Sequence, residues 1–417
     1  MDTTAQSSDN IEETRKVQNQ NIDRLFLVRT PDPVSFVDGI IRESINMGAS
    51  DILFEPELTE LRVRARIDGV FYEFGKVNLE SYAQISSRIK ILSGLDPTDK
   101  RKIQEGQFTF NAEGRIVNLR VEIALTINGE LIVIRVHEKG TIIMELSQLG
   151  FSNIAYENYS KMLSQRSGLI LACGPTGCGK TTTLYSTLTK LNEGRNLNVM
   201  TIENPVEFQL DDVNQMQTQD EIGFSFASGL RTILRLTPDV VLVGEIRDKE
   251  TAEIAVQSGL TGQLVLSTLH ADDAVGALFR LLDLGVESYF VNSSLLGIVA
   301  QRLVRKVCQG CKESYNPTPS EIDLFTQVLG RPPKQLLKGK GCAACKSLSY
   351  KGRLGIFEVM VMNPTLRDML RQKMSEDSLR KNLVKSGFAT LLRDGLEKAE
   401  QGITTVEEVL RNSFRVI

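Results

Sequence analysis

The stretch LILACGPTGCGKTTTLYSTL, residues 169–188, decides how the chain is read. An apolar run of strand character leads into G-x-x-x-x-G-K-T, and a segment of helical period follows. Gly174, Gly177 and Gly179 let the backbone turn its N–H groups inward around a phosphate. Pro175, Thr176, Cys178 and Thr182 complete the loop and its exit. Lys180 is placed to reach the β- and γ-phosphates, and the Thr181 hydroxyl is placed to hold Mg²⁺. Strand, loop and helix stand in the order that puts an anion at a helix N-terminus. The expectation is a nucleoside triphosphate site, with ATP and Mg²⁺ as ligands.

Further apolar runs continue the pattern: NVMTI ends at Glu203, VVLVG at Glu245, and QLVLSTL at His270. Short apolar runs between helical segments predict a buried parallel sheet. In such a sheet, ligands bind beyond the carboxyl ends of the strands. Lys180, Thr181, Glu203, Glu245 and His270 should therefore converge. A carboxylate there can bind Mg²⁺ or polarise the attacking water. Arg231 and Arg235 are four apart on one helical face. They suit a γ-phosphate, acids of a neighbouring subunit, or plain solvation.

Before this core, residues 25–140 alternate in a different way. VSFVDGIIRESINMG and YAQISSRIKILSGL have helical period. DILFEP, ELRVRARIDGVFYEF and the meander over 107–139 have strand period, with turns at Glu113-Gly114 and Asn128-Gly129. This is an α+β domain with an antiparallel sheet. With Asn128-Gly129 as a two-residue turn, Ile127 pairs with Glu130, Arg120 faces His137, and Arg135 lies diagonal to Arg120. Two cations on one face of apolar strands need an anion, either a phosphate or a local partner such as Glu122.

Cys308-x-x-Cys311 and Cys342-x-x-Cys345 have the spacing of a four-thiolate structural Zn²⁺ site. Cys173 and Cys178 read as packing residues. Residues 1–24 are polar and without period, a disordered arm with no apolar leader. The predicted order is arm 1–24, sheet domain 25–140, nucleotide core 141–300, zinc element 301–350 and a helical region 351–417.

The chain has 417 residues, 41% hydrophobic and 24% charged, with net charge −3. These values suit a soluble, multidomain protein and disfavour a basic nucleic-acid binder. No apolar run approaches bilayer-spanning length. The expectation is a cytoplasmic protein that reaches a membrane only through partners.

GPTGCGKTTTLYSTL, TIENPVEFQL, GLRTILRLTPDVVLVGEIRDKETAEIAVQSGLTGQLVLSTLHADDA and AQRLVRKVCQGC together resemble the type II secretion and type IV pilus assembly ATPases. The resemblance runs from about Pro33 to the C-terminus. It implies a homo-hexameric ring whose subunits join a PAS-like sheet domain to a RecA-like core. Glu203 then falls in the acidic box, Glu245 in the Walker B segment and His270 in the histidine box. Arg120 and Arg135 match arginines offered to nucleotide phosphates. The cysteines match the zinc element of assembly motors, which retraction motors generally lack. An inner-membrane platform protein and a cytoplasmic docking protein are the implied partners. A nucleotide-gated scaffold with little hydrolysis and a DNA-uptake motor of the same family are the rival readings. The chain departs from the family pattern at Asn204, Gln263 and Gln107, and in its short arm. These departures bear on turnover and docking more than on the chemistry.

Overall fold

The computed structural model describes residues 19–138, 144–194 and 196–413. The chain forms two compact units. One gathers Met1–Thr141, Cys308–Lys312 and Gly339–Lys351, and the other gathers Ile142–Val307, Glu313–Lys338 and Gly352–Ile417. Residues 1–18 of the expected arm, and the segment 139–143 where one domain gives way to the next, lie outside the described residues.

In the first unit the order is α1 (Gln20–Leu25), α2 (Pro33–Asn46), β1 (Ala49–Pro56), β2 (Glu60–Ile67), β3 (Val70–Asn78), α3 (Tyr82–Leu92), β4 (Gln104–Ala112), β5 (Arg115–Thr126) and β6 (Gly129–Glu138). The sheet order is β3-β2-β1-β6-β5-β4, with neighbouring strands antiparallel. Period-2 patterning puts Leu61, Val63, Ala65, Leu119, Val121 and Ile123 on one buried face. Phe36, Ile40 and Ile41 of α2 and Ile85 and Ile89 of α3 share that core.

The arm is corrected at its end. Asn19 caps α1, accepting from the Asn21 N–H at 2.9 Å, and Ile22 is buried. Gly75 leaves room for the Phe26 ring, since a Cβ there would lie 2.6 Å from Phe26 Cγ. Apolar Ile22, Leu25 and Phe26 thus anchor a turn of helix where polar neighbours suggested none.

The β5–β6 register is also corrected. Thr126 pairs with Gly129 and Leu125 with Glu130, so Ile127-Asn128 form the turn. Thr126 Oγ1 donates to the Gly129 carbonyl at 2.8 Å and accepts from the Asn128 N–H at 3.3 Å, which fixes this turn. Arg120 consequently faces Arg135 directly, and Asn118 faces His137.

The second unit contains α4 (Asn153–Leu163), β7 (Gly168–Cys173), α5 (Lys180–Asn192), β8 (Val199–Glu203), β9 (Asn214–Gln217), α6 (Phe226–Ile233), β10 (Val240–Val243), α7 (Lys249–Leu260), β11 (Leu264–Leu269), α8 (Ala274–Asp283), α9 (Ser288–Ser294) and β12 (Leu295–Val307). Then come β13 (Lys312–Tyr315), α10 (Pro319–Leu329), β14 (Leu336–Gly339), β15 (Tyr350–Val361) and helices α11 (Pro364–Arg371), α12 (Glu376–Lys385), α13 (Leu391–Glu400) and α14 (Val406–Ser413). The seven-stranded order is β15-β12-β7-β11-β10-β8-β9. β12, β7, β11, β10, β8 and β9 run parallel, each to the next.

Both faces of this sheet are covered. Leu169, Leu171 and Cys173 of β7 join the core with α6, α7 and α8. Ile170 and Ala172 join the core with α4 and α5. That double burial explains the unbroken apolar runs.

The expected zinc element, 301–350, is divided. β12 continues to Val307, and 313–338 belongs with the second unit. The cysteine turns belong with the first unit, where Leu348 packs on the sheet core. Lys346 Nζ donates to the Asn46 carbonyl there at 2.7 Å.

Glu358 of β15 joins two helix starts. Its carboxylate accepts from Ala274 N–H at 2.9 Å and Leu391 N–H at 3.2 Å, serving orphan donors of α8 and α13. Burial pushes its pKa up to about 7 from an ordinary 4.5, with the Asp273 charge adding to the rise. The folded chain therefore holds this proton more tightly than the unfolded one. The resulting stability is fully present below pH 4.5 and is lost as pH rises through about 7, a change on the order of 3 kcal/mol. Urea unfolding of wild type and Glu358→Gln between pH 5 and 8 checks this. The difference between them should shift with pH in that direction, and a constant difference refutes it.

Candidate active site

The sheet register brings the strand ends together. Cys173 pairs with Leu269, so Gly174 and His270 leave the sheet side by side. Val243 pairs with Ser267 and with Ile202, so Gly244-Glu245 and Glu203 emerge on the same edge. Gly174, Gly177 and Gly179 all have positive φ, at 148°, 78° and 92°. Gly179 is the N-cap of α5 and has no side chain to satisfy the first N–H groups, which leaves them for an anion. Lys180 Nζ folds back on the loop, donating to the carbonyls of Gly174 at 2.7 Å and Pro175 at 3.0 Å. Thr181 is exposed and Thr182 half-buried, while Pro175 and Thr176 stand exposed at the loop's crest. Cys178 is buried beneath the loop, and burial pushes its thiol pKa up.

Glu245 and His270 meet. His270 Nε2 is 3.7 Å from Glu245 Oε2, and Arg247 Nη2 is 2.6 Å from Glu245 Oε1. The turn is tied to β11 by Ile246 N–H to the Thr268 carbonyl at 3.0 Å and by Thr268 Oγ1 to the Gly244 carbonyl at 2.8 Å.

Glu203 is differently placed. It is 4% exposed and accepts from Tyr185 Oη, from Thr201 Oγ1 at 2.6 Å and from Gln215 Nε2 at 3.2 Å. Burial, and then the Glu203 carboxylate, push the Tyr185 hydroxyl pKa well up. Asn204 beside it is exposed. Gln263 precedes β11 and so sits at the opposite end of that strand from His270. Arg231 pairs with Glu250 at 2.5 Å.

Arg120 and Arg135 belong to the other unit. Both are exposed. Arg135 Nε is 3.3 Å from Asp51 Oδ1, so Asp51, rather than Glu122, is its local partner. Gln107 pairs with Arg120 in the β4–β5 register.

The four thiols of Cys308, Cys311, Cys342 and Cys345 lie within 4.8 Å of one another. Three of the sulfur pairs, 308–342, 311–345 and 342–345, are 3.8 Å apart. A tetrahedron with Zn–S of about 2.3 Å has edges of about 3.8 Å, so the donor set fits. The Cys345 backbone lowers the Cys342 thiol pKa to about 7, whereas burial pushes Cys311 up to about 12.

A family model described as type II/IV secretion system protein matches residues 32–411. The chain is 41% identical over 404 residues to the type II secretion system protein E of Pseudomonas aeruginosa, covering 97% of this chain and 78% of the relative. The chain belongs to the type II/IV secretion ATPase family. This secretion ATPase is also 39% identical over 412 residues to the type IV pilus assembly ATPase PilB of Myxococcus xanthus, covering 97% and 72% of the two chains. Two solved structures share its fold. They are the Legionella pneumophila ATPase DotB, with TM-score 0.63 and 21% identity, and the pilus retraction motor PilT with bound ADP, with TM-score 0.57 and 23% identity. Each covers 91% of this chain and 97% of its own.

Sequence reasoning about the secretion ATPase missed Tyr185 and Gln215, which engage Glu203, and Gln301 and Arg302, which lie under the phosphate loop. The available signal was the Gln-Arg pair interrupting the apolar run LLGIVAQRLV. Buried polar residues in a core strand need partners.

Proposed function

We propose that this ATPase is the motor subunit of a machine that assembles pilins or pseudopilins, in type II secretion or type IV pilus biogenesis. It works as a cytoplasmic homo-hexamer held at the inner membrane by a platform protein and a docking protein. The observation that carries the chemistry is the Glu245–His270 pair on the same strand edge as the phosphate loop.

Lys180 exchanges its two loop carbonyls for phosphate oxygens when ATP enters. Thr181 is the residue to hold Mg²⁺, which neutralises phosphate charge when bound. Glu245 orients the attacking water, with Arg247 on one carboxylate oxygen and His270 beside the other. Glu203, with Tyr185, Thr201 and Gln215 on its carboxylate, serves as a rigid base for the site. Arg120 and Arg135 of the PAS-like domain offer positive charge to nucleotide phosphates, as an arginine finger does. Cys308, Cys311, Cys342 and Cys345 hold a structural Zn²⁺ that fixes their turns.

A second reading has a specific observation behind it. The Glu203 carboxylate is occupied by neutral donors, and Asn204 replaces the acid the family pattern has there. Such a site suits a nucleotide-gated scaffold that turns over slowly. Mass measurement of the assembly with and without Mg-ATP, alongside binding to the purified platform protein, tests the motor reading. Six chains that bind the platform in a nucleotide-dependent way are expected. A monomer that hydrolyses ATP at full rate and ignores the platform overturns it.

A further inference from the structure

We infer that Gln301 and Arg302, consecutive on β12, are positioning residues that set the phosphate loop and the His270 loop against one another. Consecutive strand residues point to opposite faces. One strand thus reaches both loops, and both residues are buried, at 1% and 9% exposure.

Gln301 Nε2 donates to the Cys178 carbonyl at 2.7 Å, and Gln301 Oε1 accepts from Thr183 Oγ1 at 2.8 Å. A carbonyl only accepts, so the amide orientation is fixed by its partners. In a trans peptide the N–H points opposite to the C=O. Holding the Cys178 carbonyl toward β12 therefore turns the Gly179 N–H away from β12. A flip of the Cys178–Gly179 peptide turns ψ of Cys178 and φ of Gly179, and Gly179 has φ of 92°. Glycine offers little steric resistance to a flip of that peptide. A flip would put a carbonyl where an anion needs a donor. The buried amide of Gln301 supplies the restraint that Gly179 lacks.

Arg302 completes the arrangement. Its Nη1 donates to the Gln301 carbonyl at 3.0 Å, and its Nη2 donates to the Asp272 carbonyl at 2.7 Å, two residues beyond His270. Gly174 lies directly on this pair. A Cβ there would be 2.6 Å from the Gln301 oxygen and 3.0 Å from Arg302 Nη1. The first glycine of the loop, the strand and the loop after β11 are thereby one packed unit. A displacement of the phosphate loop is felt at His270 through β12.

The inference rests on the nucleotide site of the proposed function. It is tested on the full-length protein by calorimetric Kd for ADP and Mg-ATP, by kcat, and by the urea midpoint of each variant. Gln301→Ala is expected to raise both Kd values about tenfold. Gln301→Glu, nearly isosteric, keeps the acceptor for Thr183 but sets an oxygen against the Cys178 carbonyl. It should raise Kd further than alanine does, an order that loss of packing alone does not produce. Arg302→Met should leave Kd within about twofold while kcat falls about tenfold, because the His270 loop loses its tie at the Asp272 carbonyl. Should the Gln301 variants fail to fold, Thr183→Val removes one of the two anchors of the amide and should raise Kd about threefold. Kd and kcat within about twofold of wild type in the folded variants would overturn the inference. A wild-type protein that binds ADP tightly yet releases no phosphate would instead remove the hydrolytic reading, and the Kd series would still decide this one.

Discussion

Cys342→Ser is expected to lose its zinc and loosen the segments Cys308–Lys312 and Gly339–Lys351. Three of the sulfur pairs stand at the tetrahedral edge distance, and among the described residues the buried cluster they form contains no apolar residue besides the cysteines themselves. Without metal, burial pushes the Cys308 and Cys311 thiols up and so works against those two thiolates. A divalent cation inverts that balance. Structural zinc contributes on the order of 10 kcal/mol in small metal-dependent folds. Here the same turns carry Leu348 and Lys346 onto the sheet unit. Elemental analysis should find one zinc per wild-type chain and little in the variant, with a melting transition several degrees lower. Equal zinc content and equal melting would refute the assignment.

Glu245→Gln and Glu203→Gln are expected to separate sharply. Glu245 follows β10, half-buried, with His270 and Arg247 on its carboxylate. Its amide variant should lose about 100-fold or more in kcat, with Mg-ATP Kd little changed. Glu203 is buried among Tyr185, Thr201 and Gln215. Its amide variant sets an NH₂ against one of these donors. The expected cost is about 1–3 kcal/mol in stability, with a smaller loss in kcat. Single-turnover hydrolysis and urea unfolding on both variants check this. The reverse order would make Glu203 the water-orienting residue.

The strands that build the site were legible because a parallel strand covered on both faces is a plain apolar run. LILAC, NVMTI, VVLV and QLVLSTL needed no context. β12 was not legible as part of this sheet, since Gln301 and Arg302 interrupt it and the strand follows α9 without a turn signal. The loop lysine and the strand-end acids were visible as positions, but not the difference between them. Glu203 and Glu245 both close apolar strands, and only packing reveals that one carboxylate is buried among neutral donors and the other half-buried beside Arg247 and His270. The β5–β6 hairpin misled because Asn-Gly is a strong turn signal. Thr126 bonds instead favour Ile127-Asn128 as the turn, at the expense of a fully exposed Ile127. The cysteine pairs announced a metal site, but C-x-x-C spacing carries no information about which unit its turns pack against.

The central claim is that the strand-end constellation hydrolyses ATP. Steady-state phosphate release by the assembled protein in Mg-ATP, wild type against Lys180→Ala, tests it most directly. Lys180 is the cation of the loop, and its Nζ donates to the carbonyls of Gly174 and Pro175. The account predicts sustained multiple-turnover release by wild type and a loss of at least about 100-fold in the variant. Equal rates in the two proteins would contradict it.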